Sequence, residues 1–254
     1  MKVIRIVLVV VASIALRPLL AADASKPTKF DSQGVKIKYT VEGEGAPVVL
    51  IHGAFSSADM NWRLPGTIKA LAAHYQVIAL DVRGHGDSDK PDKEDAYGAE
   101  MAEDVIRLLD HLKVEKAHIV GYSMGGMIAM KVTTAHPDRV SSLTLGGMGW
   151  LREGSRLQEF WEKIPERGRG KTPSACLRSL GQLAVTEKEL KEVSVPVSIL
   201  VGDRDPVKRL YVDPLQRVRN DWPVTVIEGA GHINCIFKSQ FQEGLEKALE
   251  KQTR

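Results

Sequence analysis

Ser123 is the side chain whose neighbours most clearly prescribe a chemistry. It lies in Gly121-Tyr122-Ser123-Met124-Gly125, between an apolar run at 117–120 and a Gly-led apolar run at 126–130. That order predicts strand, sharp turn and helix, with Ser123 in strained dihedrals and two glycines leaving out the side chains that would collide as the chain doubles back. The hydroxyl is lifted into the open. Because the serine also begins a helix, the amide of Met124 points where an attacked carbonyl oxygen would turn negative.

A serine hydroxyl is a weak nucleophile near neutral pH, so it needs a base to take its proton and an acid to fix the tautomer of that base. Seven histidines compete for the first role. His74, His111, His118 and His136 lie beside or within helical and strand-like stretches, away from the strand ends where ligands bind. His52 and His85 stand in loops, each gripped between backbone-turning positions that suit structural hydrogen bonding. His232 remains, after the last apolar run and in the loop Gly229-Ala230-Gly231, which can carry an imidazole over Ser123. For the acid, Asp203 and Asp205 both stand just past the apolar run 197–201; Asp205 is preferred and Asp203 held in reserve.

The elements that would position these groups follow from the hydrophobic pattern. Residues 28–31 and 35–41 flank Ser32-Gln33-Gly34, and the second run alternates apolar with polar, as a sheet-edge hairpin with one solvated face does. Solid apolar runs at 47–51, 77–80, 117–120 and 142–145 read as strands buried on both faces, separated by helices expected at about 62–73, 99–112 and 124–136. Strand and helix alternate, which calls for a parallel sheet with right-handed crossovers. The alternation stops at Gly149 and resumes at Pro196. The intervening stretch, about 148–194, is expected to form a helical cap over the site, with helices near 157–163 and 174–183. Trp150, Leu157, Phe160, Trp161, Leu177, Leu180 and Leu183 would form its apolar underside. Runs at 197–201 and 224–227 complete the sheet, and a helix at about 240–250 closes the fold.

At 254 residues and a net charge of +3, the chain suits one α/β domain and carries no charge excess that would call for nucleic acid or an anionic partner. Lys2 and Arg5 precede an apolar run at 6–16 that Arg17 and Pro18 close, and Ala22-Asp23-Ala24 offers small residues for cleavage. This pattern predicts a secretory signal at 1–24, with the domain proper at 25–254 and an exported, periplasmic or extracellular product. The apolar run is far shorter than the roughly 20 residues a membrane-crossing helix needs, so no integral membrane association is expected after its removal. Export makes a Cys176–Cys235 bridge from the cap to the loop beyond His232 worth testing against two buried free thiols, the preferred reading. Gly168-Arg169-Gly170-Lys171-Thr172 lacks both the leading glycine and the preceding strand of a phosphate loop, and Asp87 with Asp89 supplies too few oxygens for Ca2+.

Taken together, the chain resembles the α/β-hydrolase superfamily, in its serine esterase-like branch. The resemblance rests on His52-Gly53-Ala54, Asp81-x-Arg83-Gly84-His85-Gly86-x-Ser88, the elbow at 121–125, Gly202-x-x-Asp205 and Gly231-His232. It implies a mostly parallel eight-stranded sheet flanked by helices, with a short cap inserted after the sixth strand. It further implies Ser123 as nucleophile, Asp205 as orienting acid, His232 as base and the amides of Ala54 and Met124 as an oxyanion hole. Phe55, Trp150 and Trp161 are expected to touch a small-molecule ester, with no metal or organic cofactor. Relatives that open epoxides or haloalkanes carry aspartate where this chain has Ser123. Lactones, peracids and carbon–carbon bonds remain open as alternative substrates of the same triad, as does ligand sensing with little turnover.

Overall fold

A computed structural model describes residues 27–163 and 172–253. The expected signal at 1–24 and most of the basic stretch 168–172 lie outside the described residues. Eight strands are present among those described: β1 (Thr28–Ser32), β2 (Val35–Glu42), β3 (Ala46–Ile51), β4 (Tyr75–Leu80), β5 (Ala117–Tyr122), β6 (Val140–Gly146), β7 (Val197–Gly202) and β8 (Val224–Ile227). They make one sheet in the order β1-β2-β4-β3-β5-β6-β7-β8. The β1–β2 and β2–β4 pairs are antiparallel and the rest parallel. The chain steps outward from β3 to β4 and then returns to place β5 on the other side of β3. Loops leaving β3 and β5 therefore diverge and open a crevice at their carboxyl ends, where sheets of this kind hold ligands.

The helices are α1 (Thr67–Leu71), α2 (Ala99–His111), α3 (Met124–Ala135), α4 (Arg156–Glu162), α5 (Ser174–Arg178), α6 (Glu187–Glu192), α7 (Asp213–Gln216) and α8 (Ser239–Thr253). Alternation along β3 explains how they divide. Val49 and Ile51 face a cluster with Met101, Val105 and Leu108 of α2 and Met127 and Ile128 of α3. Val48 and Leu50 face Ile68 and Leu71 of α1 and Phe241, Leu245 and Leu249 of α8. All four strand residues are fully buried, each contributing about 1.5–3 kcal/mol of burial free energy.

Two local expectations are corrected. The helix expected at about 62–73 is broken into a π-helical turn, Asp59–Arg63, and the short α1. Pro65 cannot donate a helical hydrogen bond, and Gly66 takes a left-handed φ of 88° as the cap of α1. The polar side of β2 is solvated only at Lys36: Lys38 and Thr40 are buried. The turn at Asp59–Arg63 and the loops after β4 pack over that face, and the Lys38 ammonium lies 3.0 Å from Asp59 and 3.4 Å from Asp81, so the cation is buried with countercharge. Cys176 and Cys235 are free, buried thiols, as the preferred reading of the sequence expects. They belong to different hydrophobic clusters, Cys176 with residues of α2 and α3 and Cys235 with residues of α1 and α8.

Between β6 and β7 the described residues hold α4, α5 with a following 3-10 turn (Ser179–Leu183), and α6. No described helix is long and apolar enough to cross a membrane.

Candidate active site

The elbow has the geometry its sequence requires. Ser123 sits at φ 54°, ψ −118° between the end of β5 and the first residue of α3, a conformation that costs a side-chain-bearing residue about 1–3 kcal/mol. A Cβ on Gly121 would stand 2.1 Å from the Gly125 carbonyl oxygen, and one on Gly125 would stand 2.1 Å from that of Ile51. No side chain fits at either position. The turn is held by the Ser123 amide donating to the Gly146 carbonyl at 2.9 Å and the Gly126 amide donating to the Ser123 carbonyl at 2.8 Å.

Three groups from three strand ends converge above it. His232 Nε2 is 2.8 Å from Ser123 Oγ, and His232 Nδ1 is 2.8 Å from Asp205 Oδ2. The second oxygen of Asp205 accepts the Val207 amide at 2.9 Å. Asp205 is buried, whereas the His232 side chain keeps about a third of its surface. An ionised Asp205 can only accept, so Nδ1 carries the proton and Nε2 presents a lone pair to the serine hydroxyl.

Asp203, the reserve candidate, does something else. Its carboxylate accepts the Ala230 amide at 3.0 Å. Backbone donors, that of Gly229 foremost, hold its carboxyl below the usual range. It clamps the loop that carries His232. That loop is also held by Tyr122, whose hydroxyl donates to the His232 carbonyl and whose ring lies 5.7 Å from the imidazole. Sequence reasoning passed over Tyr122, although a residue just before the elbow serine must project beneath the crevice.

The loop after β3 is fixed from both sides. The Gly53 amide donates to Asn61 Oδ1 at 2.8 Å. His52 is buried, and its Nε2 lies 3.0 Å from the Val82 amide while its Nδ1 lies 2.7 Å from the Gly53 carbonyl oxygen. Val82 can only donate, so Nε2 is bare and Nδ1–H donates to Gly53. The Gly53 carbonyl and the Ala54 amide share one trans peptide, so anchoring the oxygen on His52 turns the Ala54 N–H the opposite way. Among the described residues no hydrogen bond engages the amide of Ala54 or of Met124, the first residue of α3. Two free donors thus border the serine, and a Cβ on Gly53 would sit 3.3 Å from Ser123 Cβ.

Of the aromatic residues expected to touch substrate, Phe55 is largely exposed beside this loop at a left-handed φ of 60°. Trp161 is half-buried, its indole N–H donating to the Tyr211 hydroxyl at 3.2 Å. Trp150 is buried and gives its indole N–H to the Val185 carbonyl at 2.7 Å, so geometry gives it a packing role. A substrate would reach it only if the β6–β7 insertion moved. His85 is buried as well, and burial pushes its imidazole down to about 3. Among the described residues no group of three or more His, Cys, Asp or Glu side chains is arranged to hold a metal ion.

Similarity to known proteins agrees with this architecture. Residues 46–189 match the family model for the alpha/beta hydrolase fold. The chain is 40% identical over 144 residues to the dihydrolipoyllysine-residue acetyltransferase component of the acetoin cleaving system of Pseudomonas putida, a match covering 55% of this chain and 38% of that protein. It is 28% identical over 213 residues to 3-oxoadipate enol-lactonase 1 of Acinetobacter baylyi, covering 69% of this chain and 78% of that one. The first curated relatives are matched over less than half their own length. Among solved structures, a bacterial membrane phospholipase A superimposes with a TM-score of 0.70 at 25% identity, over 90% of this chain and 87% of that one. The elbow, the sheet order and the matched family model together place this chain in the α/β-hydrolase family.

Proposed function

We propose that this protein is a serine hydrolase that cleaves carboxylic esters of small to medium acyl groups through an acyl-enzyme. The observation that carries the reading is the unbroken hydrogen-bonded chain from Asp205 through His232 to Ser123. As Ser123 Oγ bonds to the ester carbonyl carbon, its proton passes to His232 Nε2, and Asp205 stabilises the imidazolium while remaining ionised. The carbonyl oxygen, now negative, accepts from the amides of Ala54 and Met124. Collapse breaks the carbon–oxygen bond to the alcohol, which leaves with the proton from His232. Water then adds to the acyl carbon with His232 again as base, releasing the acid and restoring the serine hydroxyl. The cycle asks for no cofactor.

Ser123→Ala is expected to lower kcat on short-chain p-nitrophenyl esters by about 10^4–10^6, since only binding and the oxyanion donors remain. Turnover within a factor of a few of the parent would overturn the proposal. Running lactones, peracid-forming reactions and carbon–carbon substrates beside the esters distinguishes an ester preference from another use of the same triad. A single slow turnover with a large ligand-induced rise in Tm would mark a sensor.

A further inference from the structure

On the edge of the sheet that bears Ser123 the fold leaves apolar side chains uncovered. Phe55 and Met60 follow β3 and line a cleft of about 420 Å³ between the loops after β3 and β4. Phe160 projects from α4, Leu210 from the π-helical turn Lys208–Val212, and Ile233 and Phe237 from the segment after β8. Ile233, next to His232, is 86% exposed, and Phe160 is 60% exposed. All six lie on segments that follow the carboxyl ends of parallel strands, and so on the edge of the sheet that bears Ser123. Two of them are linked through their neighbours: the Phe160 ring packs edge-on against Trp161 at 5.5 Å, and Trp161 bonds to Tyr211, the neighbour of Leu210. Six of the eight large apolar side chains exposed among the described residues therefore lie toward this edge, unlike the even scatter of a free surface.

Their charged neighbours say what would cover them. Arg156 stands one helical turn before Phe160, Arg209 directly before Leu210, and Lys238 directly after Phe237. Among the described residues none of these three cations has an ion-pair partner, and of the acids in the same segments Glu159 and Asp213 are paired with Lys163 and Lys208 while Glu162 is exposed and unpaired, leaving the cations in excess. Apolar tips flanked by unpaired cations match an anionic lipid–water boundary, with the tips among acyl chains and the cations at the phosphates.

We infer that this rim docks on an anionic phospholipid surface and draws its ester substrate from there. The substrate half rests on the proposed esterase reading; the docking half does not. The test uses the full chain carrying Ser123→Ala, so that catalysis plays no part, with tryptophan introduced by Ile233→Trp, by Phe160→Trp or, on the opposite edge of the sheet, by Glu115→Trp. Each is mixed with vesicles of phosphatidylcholine and phosphatidylglycerol whose acyl chains are brominated or plain, and with vesicles of phosphatidylcholine alone. Bromine quenching is expected to exceed the Ser123→Ala background by about twofold or more for Ile233→Trp and Phe160→Trp, to be absent for Glu115→Trp, and to need phosphatidylglycerol. Equal quenching at the three positions, no added quenching at the rim, or quenching indifferent to phosphatidylglycerol overturns the inference. So does a lipid-free dimer that Phe160→Ser abolishes, since a second copy would then cover the rim. Loss of p-nitrophenyl ester turnover in the Ser123→Ala comparison bears on the esterase reading alone.

Discussion

Asp203 and Asp205 stand two residues apart and divide the work by burial. Asp205 is sequestered, with one oxygen on His232 and the other on the Val207 amide. Asp203 is solvated and spends its charge on the backbone of the histidine loop. Asparagine at the two positions therefore has different consequences. Asp205→Asn can offer its amide N–H to Nδ1, which stabilises the wrong tautomer and leaves Nε2 protonated toward Ser123. A fall in kcat of about 10^4 with little change in KM is expected. Asp203→Asn retains an oxygen for the Ala230 amide, so kcat should stay within about tenfold of the parent while Tm drops slightly. Steady-state kinetics of the two variants on one soluble ester decides between the assignments, and a reversed order would make Asp203 the orienting acid.

At the scale of elements, what could be read from residues was whatever local chemistry dictates. The elbow was legible because only Gly121 and Gly125 tolerate that turn, and the parallel strands because a strand buried on both faces must be apolar throughout. Lys38 was misread because alternation records polarity and not the carboxylates of Asp59 and Asp81 that distant loops bring to it. The Pro65-Gly66 pair inside the expected helix at about 62–73 is itself a breaker signal, which the apolar spacing around it hides. Helix α6 was missed outright, although Thr186-Glu187-Lys188-Glu189 is a capping-box pattern: the Thr186 hydroxyl accepts the Glu189 amide at 3.1 Å, and the Glu189 carboxylate accepts the Thr186 amide at 2.8 Å. The other end is closed by Arg219, which donates to the Leu190 and Val193 carbonyls at 2.9 and 2.8 Å. A helix this short depends on its caps. Thr186→Ala is expected to cost about 1 kcal/mol, or about 2–4 °C in Tm by calorimetry, with kcat unchanged.

At the scale of the molecule, the sheet separates two cores, and each holds one thiol. Burial pushes Cys176 up to about 12 and Cys235 up to about 11, so neither is a thiolate near neutral pH. A disulfide-exchange reagent should therefore titrate neither in the native protein and both after unfolding without reductant, and reductant should leave Tm unchanged. Titration of fewer than two thiols in the unfolded, unreduced chain would mean that a bridge exists. The same depth of burial sets the response to acid. His52, His85 and His118 are all held below the ordinary histidine value of 6.5, burial being the leading cause in each, and His85 falls to about 3. Between 6.5 and its own lowered value, each of these groups is protonated in the unfolded chain and neutral in the native one, so stability falls as pH drops below 6.5 and is recovered on return. Each neutral histidine contributes at most about 1.4 kcal/mol per pH unit to that slope. The carboxylates held below their usual range act only further down, near and below the ordinary values of 3.8 and 4.5. Burial holds the Asp104 carboxyl above its usual range, which acts in the opposite sense, so the part played by a histidine is read from the change of slope when it is replaced. His85→Asn, which keeps a donor for the Arg83 carbonyl and removes the titration, should flatten the dependence of Tm on pH between about pH 6.5 and pH 5 even if it lowers Tm at about pH 7. A slope identical to that of the parent would mean that His85 is protonated in the native protein after all.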